Sequence, residues 1–145
     1  MRIVLQRVSR AAVEVDGREL SRIGHGLLAL VCIAQSDDDT VVRRAAHKVA
    51  GLRLFEDDAG KMNLDLAGVG GAVLVVSQFT LLADTSRGRR PSFEDAAAGA
   101  VAAPLVELFA ATLRQSGFAV ATGRFAARMR IELVNDGPVT LVLDF

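Results

Sequence analysis

The chain has 145 residues with 17 basic and 17 acidic side chains, so its formal net charge is zero. With 51% hydrophobic and 23% charged residues it can bury a core, which excludes a disordered or supercharged polypeptide, and its length fits one domain, residues 1–145. Neutrality also excludes nucleic-acid binding by bulk positive charge: DNA is not an expected partner, and RNA would have to be held locally.

The longest apolar run, Leu27 to Ala34, falls far short of the roughly 20 residues of a spanning helix, and no basic segment followed by an apolar one opens the chain. A membrane partner is therefore not expected, and the cytoplasm is the expected location. Cys32 is the single cysteine, which excludes an internal disulfide or a thiolate metal cluster and suits a reducing compartment.

In chain order, Ile3 to Val8 and Ala12 to Val15 read as strands, and Asp16-Gly17 supplies a tight hairpin turn into Glu19 to Ile23. Leu27 to Ala34, apolar throughout, suits a central strand covered on both faces. Asp38 or Asp39 caps a predicted helix whose apolar positions Val41, Val42, Ala45, Val49 and Leu52 keep helical spacing. Leu52 to Phe55 reads as a short strand before the polar turn Glu56 to Gly60, and Ala72 to Val76 as a second buried strand ending at Ser77. Thr85 to Pro91 reads as a basic loop, and Ser92 with Asp95 as the capping arrangement of a short helix. A longer helix is expected from Pro104, with Leu105, Leu108, Phe109 and Leu113 as its stripe and Gly117 as its C-terminal cap. Phe118 to Thr122, Met129 to Val134 and Val139 to Leu143 return to strands, the last two joined by Asn135-Asp136-Gly137-Pro138. This mixed order predicts an α/β (α+β) fold: one strongly curved, barrel-like, mainly antiparallel sheet with two to three packed helices.

Two segments concentrate chemistry. Ser77-Gln78-Phe79-Thr80 follows a buried strand, where it can form a pocket floor whose backbone donors face a developing oxyanion; the plainer alternative is a strand end satisfied by local hydrogen bonds. Asn135 to Thr140 packs turn formers against a strand, and its X-Pro bond is the one place where a cis peptide is cheap; it is either a rigid tip presenting main chain to a ligand or an ordinary hairpin turn. No Gly-x-Ser-x-Gly motif, dinucleotide fingerprint or phosphate loop is present. His25 lies in a glycine turn and His47 on a solvated helix face, so neither a histidine base nor a zinc site is indicated; no metal and no cofactor are expected. Cys32 falls inside an apolar strand, where a thiol is usually buried and unreactive. Arg87, Arg89 and Arg90 form either a phosphate-gripping cluster or a solvated loop.

Taken together, Gln6-Arg7-Val8, Gly60-Lys61-Met62-Asn63, Ser77-Gln78-Phe79-Thr80-Leu81, Arg90-Pro91-Ser92-Phe93 and Asn135-Asp136-Gly137-Pro138-Val139-Thr140 resemble the D-aminoacyl-tRNA deacylases of the D-tyrosyl-tRNA deacylase type, over essentially the whole chain. The resemblance implies a cytoplasmic homodimer that hydrolyses the ester of D-aminoacyl-tRNA, and of glycyl-tRNA, as proofreading in trans. It implies that Gly137-Pro138 is a cis peptide entering the partner subunit's pocket, where main chain leaves no room for an L side chain. Ser77, Gln78, Phe79 and Thr80 carry over as the catalytic pocket wall, and Phe125 and Met129 as lining for the terminal adenosine. Where the family usually reads Phe-Gly-Ala-Asp-Met, this chain has Phe125-Ala126-Ala127-Arg128-Met129. The attacking group is either Thr80 or a water aided by the substrate's 2′-hydroxyl, and no adjacent base activates the threonine. Two other classes compete: an RNA-binding module using the three loop arginines with Phe79 or Phe93, and a small-metabolite esterase lacking an evident nucleophile and base.

Overall fold

The computed structural model describes residues 1–145. Strand β1 (Arg2–Val15) is the axis of the sheet. The turn at Asp16 and Gly17, both at positive φ (53° and 73°), folds β2 (Arg18–Ile23) back onto its second half. Its first half pairs on the same edge with β3 (Gly26–Cys32), and β8 (Met129–Asp144) runs antiparallel along the opposite edge from end to end. Two parallel neighbours, β6 (Ala72–Ser77) beside β3 and β7 (Ala119–Thr122) beside β6, complete the order β2-β1-β3-β6-β7. The sheet curls until Ser21 Oγ donates to the Thr122 carbonyl at 2.8 Å, tying β2 to β7 and nearly closing it. The expected strongly curved, mainly antiparallel sheet is found, with parallel pairing at β3–β6 and β6–β7. Strands β4 (Phe55–Glu56) and β5 (Met62–Leu64) form a separate small hairpin.

The apolar runs Leu27–Cys32 and Val73–Val76 are continuous because each face of β3 and β6 meets a different core. Leu27, Ala29 and Val31 with Val73 and Val75 pack under the helices, whereas Leu28, Leu74 and Val76 point into the curled sheet against Val8, Val13 and Ile23. Glycine at position 26 is obligatory: a Cβ there would lie 1.9 Å from the Ala72 carbonyl oxygen.

Helix α1 (Asp39–Ala50) is capped by Asp38, whose carboxylate accepts from the Val41 N–H at 2.9 Å. It buries Val42, Ala45, Ala46 and Val49, leaving His47 exposed as expected. Helix α2 (Gly99–Gln115) starts five residues before Pro104, a correction to the expected start. Proline fixes a helical φ, and the alanine-rich segment ahead of it extends the helix backward at the loss of one hydrogen bond. The predicted short helix at Ser92 is absent, because the Ser92 backbone is committed to Asp84 through two hydrogen bonds of 2.8 and 2.9 Å.

A second correction concerns the C-terminal segment. Its two predicted strands are one, β8, and Asn135–Pro138 does not reverse the chain. Gln6 of β1 faces Thr140 and Val8 faces Asn135, so the four residues Asp136–Val139 bulge out opposite Arg7 alone.

Candidate active site

Ser77 ends β6, the Gln78 N–H donates to the Val31 carbonyl at 2.8 Å, and Phe79–Leu82 then make a single 3-10 turn. This departure from the sheet opens a cleft of about 680 Å³ at the carboxyl ends of the parallel strands, within the size range of small-molecule sites. Ser77, Gln78 and Phe79 form one wall, Phe93 and the start of α2 another, and Phe125 and Met129 the third. Of 18 lining residues 15 are hydrophobic, and none is Asp, Glu, Lys, Arg or His. Phe79 is 55% exposed at the mouth, its ring edge-on to Phe93 with centroids 5.0 Å apart. Met129 packs over Gly123, where a Cβ would lie 2.7 Å from its sulfur and push the side chain aside. Thr80 stands behind the wall, its Oγ1 accepting from Gln78 Nε2 at 2.5 Å.

Cys32 is buried, as its apolar strand predicts, and it also lines the cleft floor, donating to the Phe79 carbonyl at 3.3 Å. Because a trans peptide is planar with C=O and N–H on opposite sides, this bond turns the Thr80 N–H away from the floor. The N–H groups opening a helical turn have no partner within it, so the turn offers free donors beside the cleft. No alternation or motif signals such a contact; only the fold brings Cys32 to Phe79.

Gly137 and Pro138 do not line this cleft. They crown the β8 bulge, six residues beyond the lining residue Ile131, about 20 Å of strand path. The Gly137–Pro138 peptide is cis. Arg7, only 5% exposed, is the post of the bulge: its Nε donates to the Asp136 carbonyl at 2.8 Å and its Nη1 to the Leu54 carbonyl at 2.6 Å. Glu56 and the Asp136 carboxylate flank it at 3.6 and 3.8 Å. Asn135 braces the far arm, accepting from the Val139 N–H at 2.8 Å and donating to Thr140 Oγ1 at 3.1 Å. Residue 137 must be glycine, since at φ 136° a Cβ would fall 2.8 Å from Val139 Cγ2 and 2.9 Å from Arg7 Nη2.

A sequence profile described as D-Tyr-tRNA(Tyr) deacylase matches residues 4–144. The chain belongs to this deacylase family. It is 56% identical over 144 residues to the D-aminoacyl-tRNA deacylase of Roseiflexus sp. (strain RS-1), covering 99% of this chain and 93% of that protein. Identity to the D-aminoacyl-tRNA deacylase of Thermomicrobium roseum is 58%, covering 99% and 94%. Among solved structures, the c-Myc DNA Unwinding Element Binding Protein superposes with a TM-score of 0.94 at 34% identity, covering 100% of this chain and 99% of that one. A probable eukaryotic D-amino acid tRNA deacylase shares the fold with a TM-score of 0.87 at 19% identity, covering 99% and 98%.

The family is one of hydrolases, and in this deacylase the cleft's one titratable side chain is Cys32, whose thiol burial pushes above its ordinary value of 9.0. The two departures in the Phe125–Met129 segment differ in kind. Ala126 lines the cleft at φ 60°, a left-handed conformation that glycine adopts without strain and that costs alanine about 1 kcal/mol. Arg128 lies on the face opposite to Ala127, Met129 and Ile131, in a shallow depression with Glu14, Asp16 and Arg130, so it does not alter the cleft wall.

Proposed function

We propose that this chain hydrolyses the ester between a D-amino acid, or glycine, and the terminal ribose of tRNA in the cytoplasm, excluding L-aminoacyl-tRNA. The observation that carries this reading is the cleft at Ser77, Gln78 and Phe79, large enough for an aminoacylated nucleoside and lined without a charged side chain. In the reaction a water oxygen bonds to the acyl carbon, the bond from that carbon to the ribose oxygen breaks, and that oxygen takes up a proton to leave as the ribose hydroxyl.

No carboxylate, imidazole or amine of this chain lines the cleft to accept the water's proton. The neighbouring 2′-hydroxyl of the ribose fills that role, and the free N–H groups of the 3-10 turn stabilise the oxyanion. Ser77, Gln78 and Phe79 form the catalytic wall, with Thr80 behind it holding Gln78; Phe125 and Met129 pack the terminal adenosine.

Chirality is read by Gly137 and Pro138 of a second copy. Two observations support a homodimer: the tip lies outside its own cleft, and β8 pairs with β1 alone, leaving a long strand edge uncovered. With main chain and no side chain beside the substrate's α-carbon, an L side chain is rejected by collision.

Hydrolysis of D-tyrosyl- and L-tyrosyl-tRNA by the purified protein, with and without a chelator, tests the reading. Loss of the D ester alone, unaffected by chelator, is expected; persistence of both esters overturns it. Single-turnover hydrolysis by Thr80→Ala is expected to stay near that of the parent, whereas a loss of several orders of magnitude with an intact fold would make Thr80 the nucleophile. Sedimentation with activity is expected to place all turnover in the dimer. Although one solved relative is named for binding a DNA element, this neutral chain is expected to be uninhibited by duplex DNA.

A further inference from the structure

The loop leaving the 3-10 turn carries Arg87, Arg89 and Arg90. All three are exposed, and none takes part in the ion pairs of the protein, unlike Arg2, Arg22 and Arg114, each held by a carboxylate at 2.7 Å or closer. The loop is not a loose appendage. Two backbone hydrogen bonds between Asp84 and Ser92 close its neck, and the Asp84 carboxylate accepts from the Ser86 N–H at 2.8 Å, which holds that carboxyl below its ordinary range. Phe93, directly after the neck, is a wall of the cleft and stacks edge-on with Phe79. The loop that carries the three arginines therefore leaves and rejoins the chain beside the cleft, between the 3-10 turn and Phe93, and the cleft lining itself holds no cation. Arg90 is three residues, at most about 10 Å of chain, from Phe93.

That division of charge has a chemical reading. A nucleoside esterified at its ribose needs an apolar slot, but the phosphates 5′ to it must leave through the mouth, where the cleft wall offers them nothing. Arginine forks on a pinned loop suit phosphate oxygens geometrically. We propose that Arg87, Arg89 and Arg90 form a clamp for the backbone phosphates of the single-stranded RNA 3′ end that leads into the cleft. The proposal rests on the deacylase reading above and adds a recognition element outside the reacting centre. It also gives a protein of zero net charge a local point of engagement with a polyanion, through three arginines on one short loop.

The test compares D-tyrosyl-tRNA with D-tyrosyl-adenosine, which bears the same ester and no phosphate, across a series of salt concentrations. For the parent protein, kcat/KM for the tRNA should fall with salt and that for the adenosine ester should stay flat. In the triple variant Arg87→Gln, Arg89→Gln, Arg90→Gln, KM for the tRNA should rise about tenfold or more at low salt. Its log–log salt slope should become shallower by about 2, from about 0.7 per single-strand phosphate contact, while hydrolysis of the adenosine ester stays at the parental rate. An unchanged KM and slope for the tRNA overturns the clamp. Equal losses on both substrates overturn it as well, since they would mean that the loop merely supports the cleft.

If the parent hydrolyses neither ester, the deacylase reading fails, and the clamp is then judged by anisotropy with a CCA-ended oligoribonucleotide that bears no amino acid. Weaker binding by the triple variant upholds it, and equal binding overturns it. Duplex DNA binding as tightly and with the same slope would overturn the single-stranded RNA as occupant.

Discussion

The cleft at the end of β6 is walled by side chains, among them Phe79, Phe93, Phe125 and Met129. The tip on β8 presents main chain at a residue without a side chain, held by Arg7 and Asn135 through carbonyl and amide contacts. A wall of side chains adapts by rotamer changes and selects by size and apolarity, so it suits a constant group such as a nucleoside. A braced stretch of main chain cannot move aside, so it suits a yes-or-no decision about one position on a tetrahedral carbon.

Breaking the tip should have the largest effect. Gly137→Ala places a methyl against Val139 and Arg7, and a displacement of the tip by about 1 Å should lower deacylation of D-tyrosyl-tRNA about 100-fold while hydrolysis of the L ester gains relative to it. Paired D and L time courses, with a thermal midpoint as a folding control, check this.

On the cleft side, Cys32→Val keeps the shape of the floor and removes the donor to the Phe79 carbonyl. The loss of about 1 kcal/mol of orientation should appear as a fall of about fivefold in kcat with KM unchanged, and Cys32→Ser should recover most of it. A variant with unaltered kcat would make the thiol mere filling.

Asn135→Ala removes one brace and leaves Arg7 in place, so a smaller effect is expected, a loss of about threefold in the ratio of D to L hydrolysis with little change in adenosine-ester binding.

The smallest expected effect is on pH dependence. The cleft's one titratable side chain, Cys32, is shifted upward by burial, so the thiol stays protonated and donating through neutral pH, and its contribution is lost only as pH rises past the ordinary thiol range. Between about pH 6 and pH 8 any break in kcat/KM should move with the substrate's amino group when the amino acid is changed. A break at a fixed pH for every substrate would place a base of the protein in the reaction.

The sequence made visible whatever obeys a local rule. Asp16-Gly17 needs positive φ, Asp38 caps α1, and the apolar runs of β3 and β6 announce strands covered on both faces. It misled where a local rule met a longer-range one. Asn135-Asp136-Gly137-Pro138 has the chemistry of a chain reversal, yet β1 is long enough to bind β8 on both sides of it, and the turn formers became a bulge in one strand. Pro104 reads as a helix start, yet the alanine-rich segment before it packs Ala102 into the core. Ser92 reads as a cap, yet its backbone was claimed by Asp84. The strand-end residues of the cleft were legible through their motif; the approach of Cys32 to Phe79 and the bracing of the tip by Arg7 were not, because each joins residues 47 to 129 positions apart.

The register of β8 bears on how such a protein can diversify. Pairing with β1 is set independently on each side of Asp136–Val139, by Leu141 against Leu5 below and Leu133 against Ala11 above. The number of residues between those two anchors is thus free of the geometry of the sheet. Insertions or deletions there would change how far the tip projects without sliding either arm, so reach toward a ligand can be altered by heredity in whole-residue steps while the barrel keeps its shape.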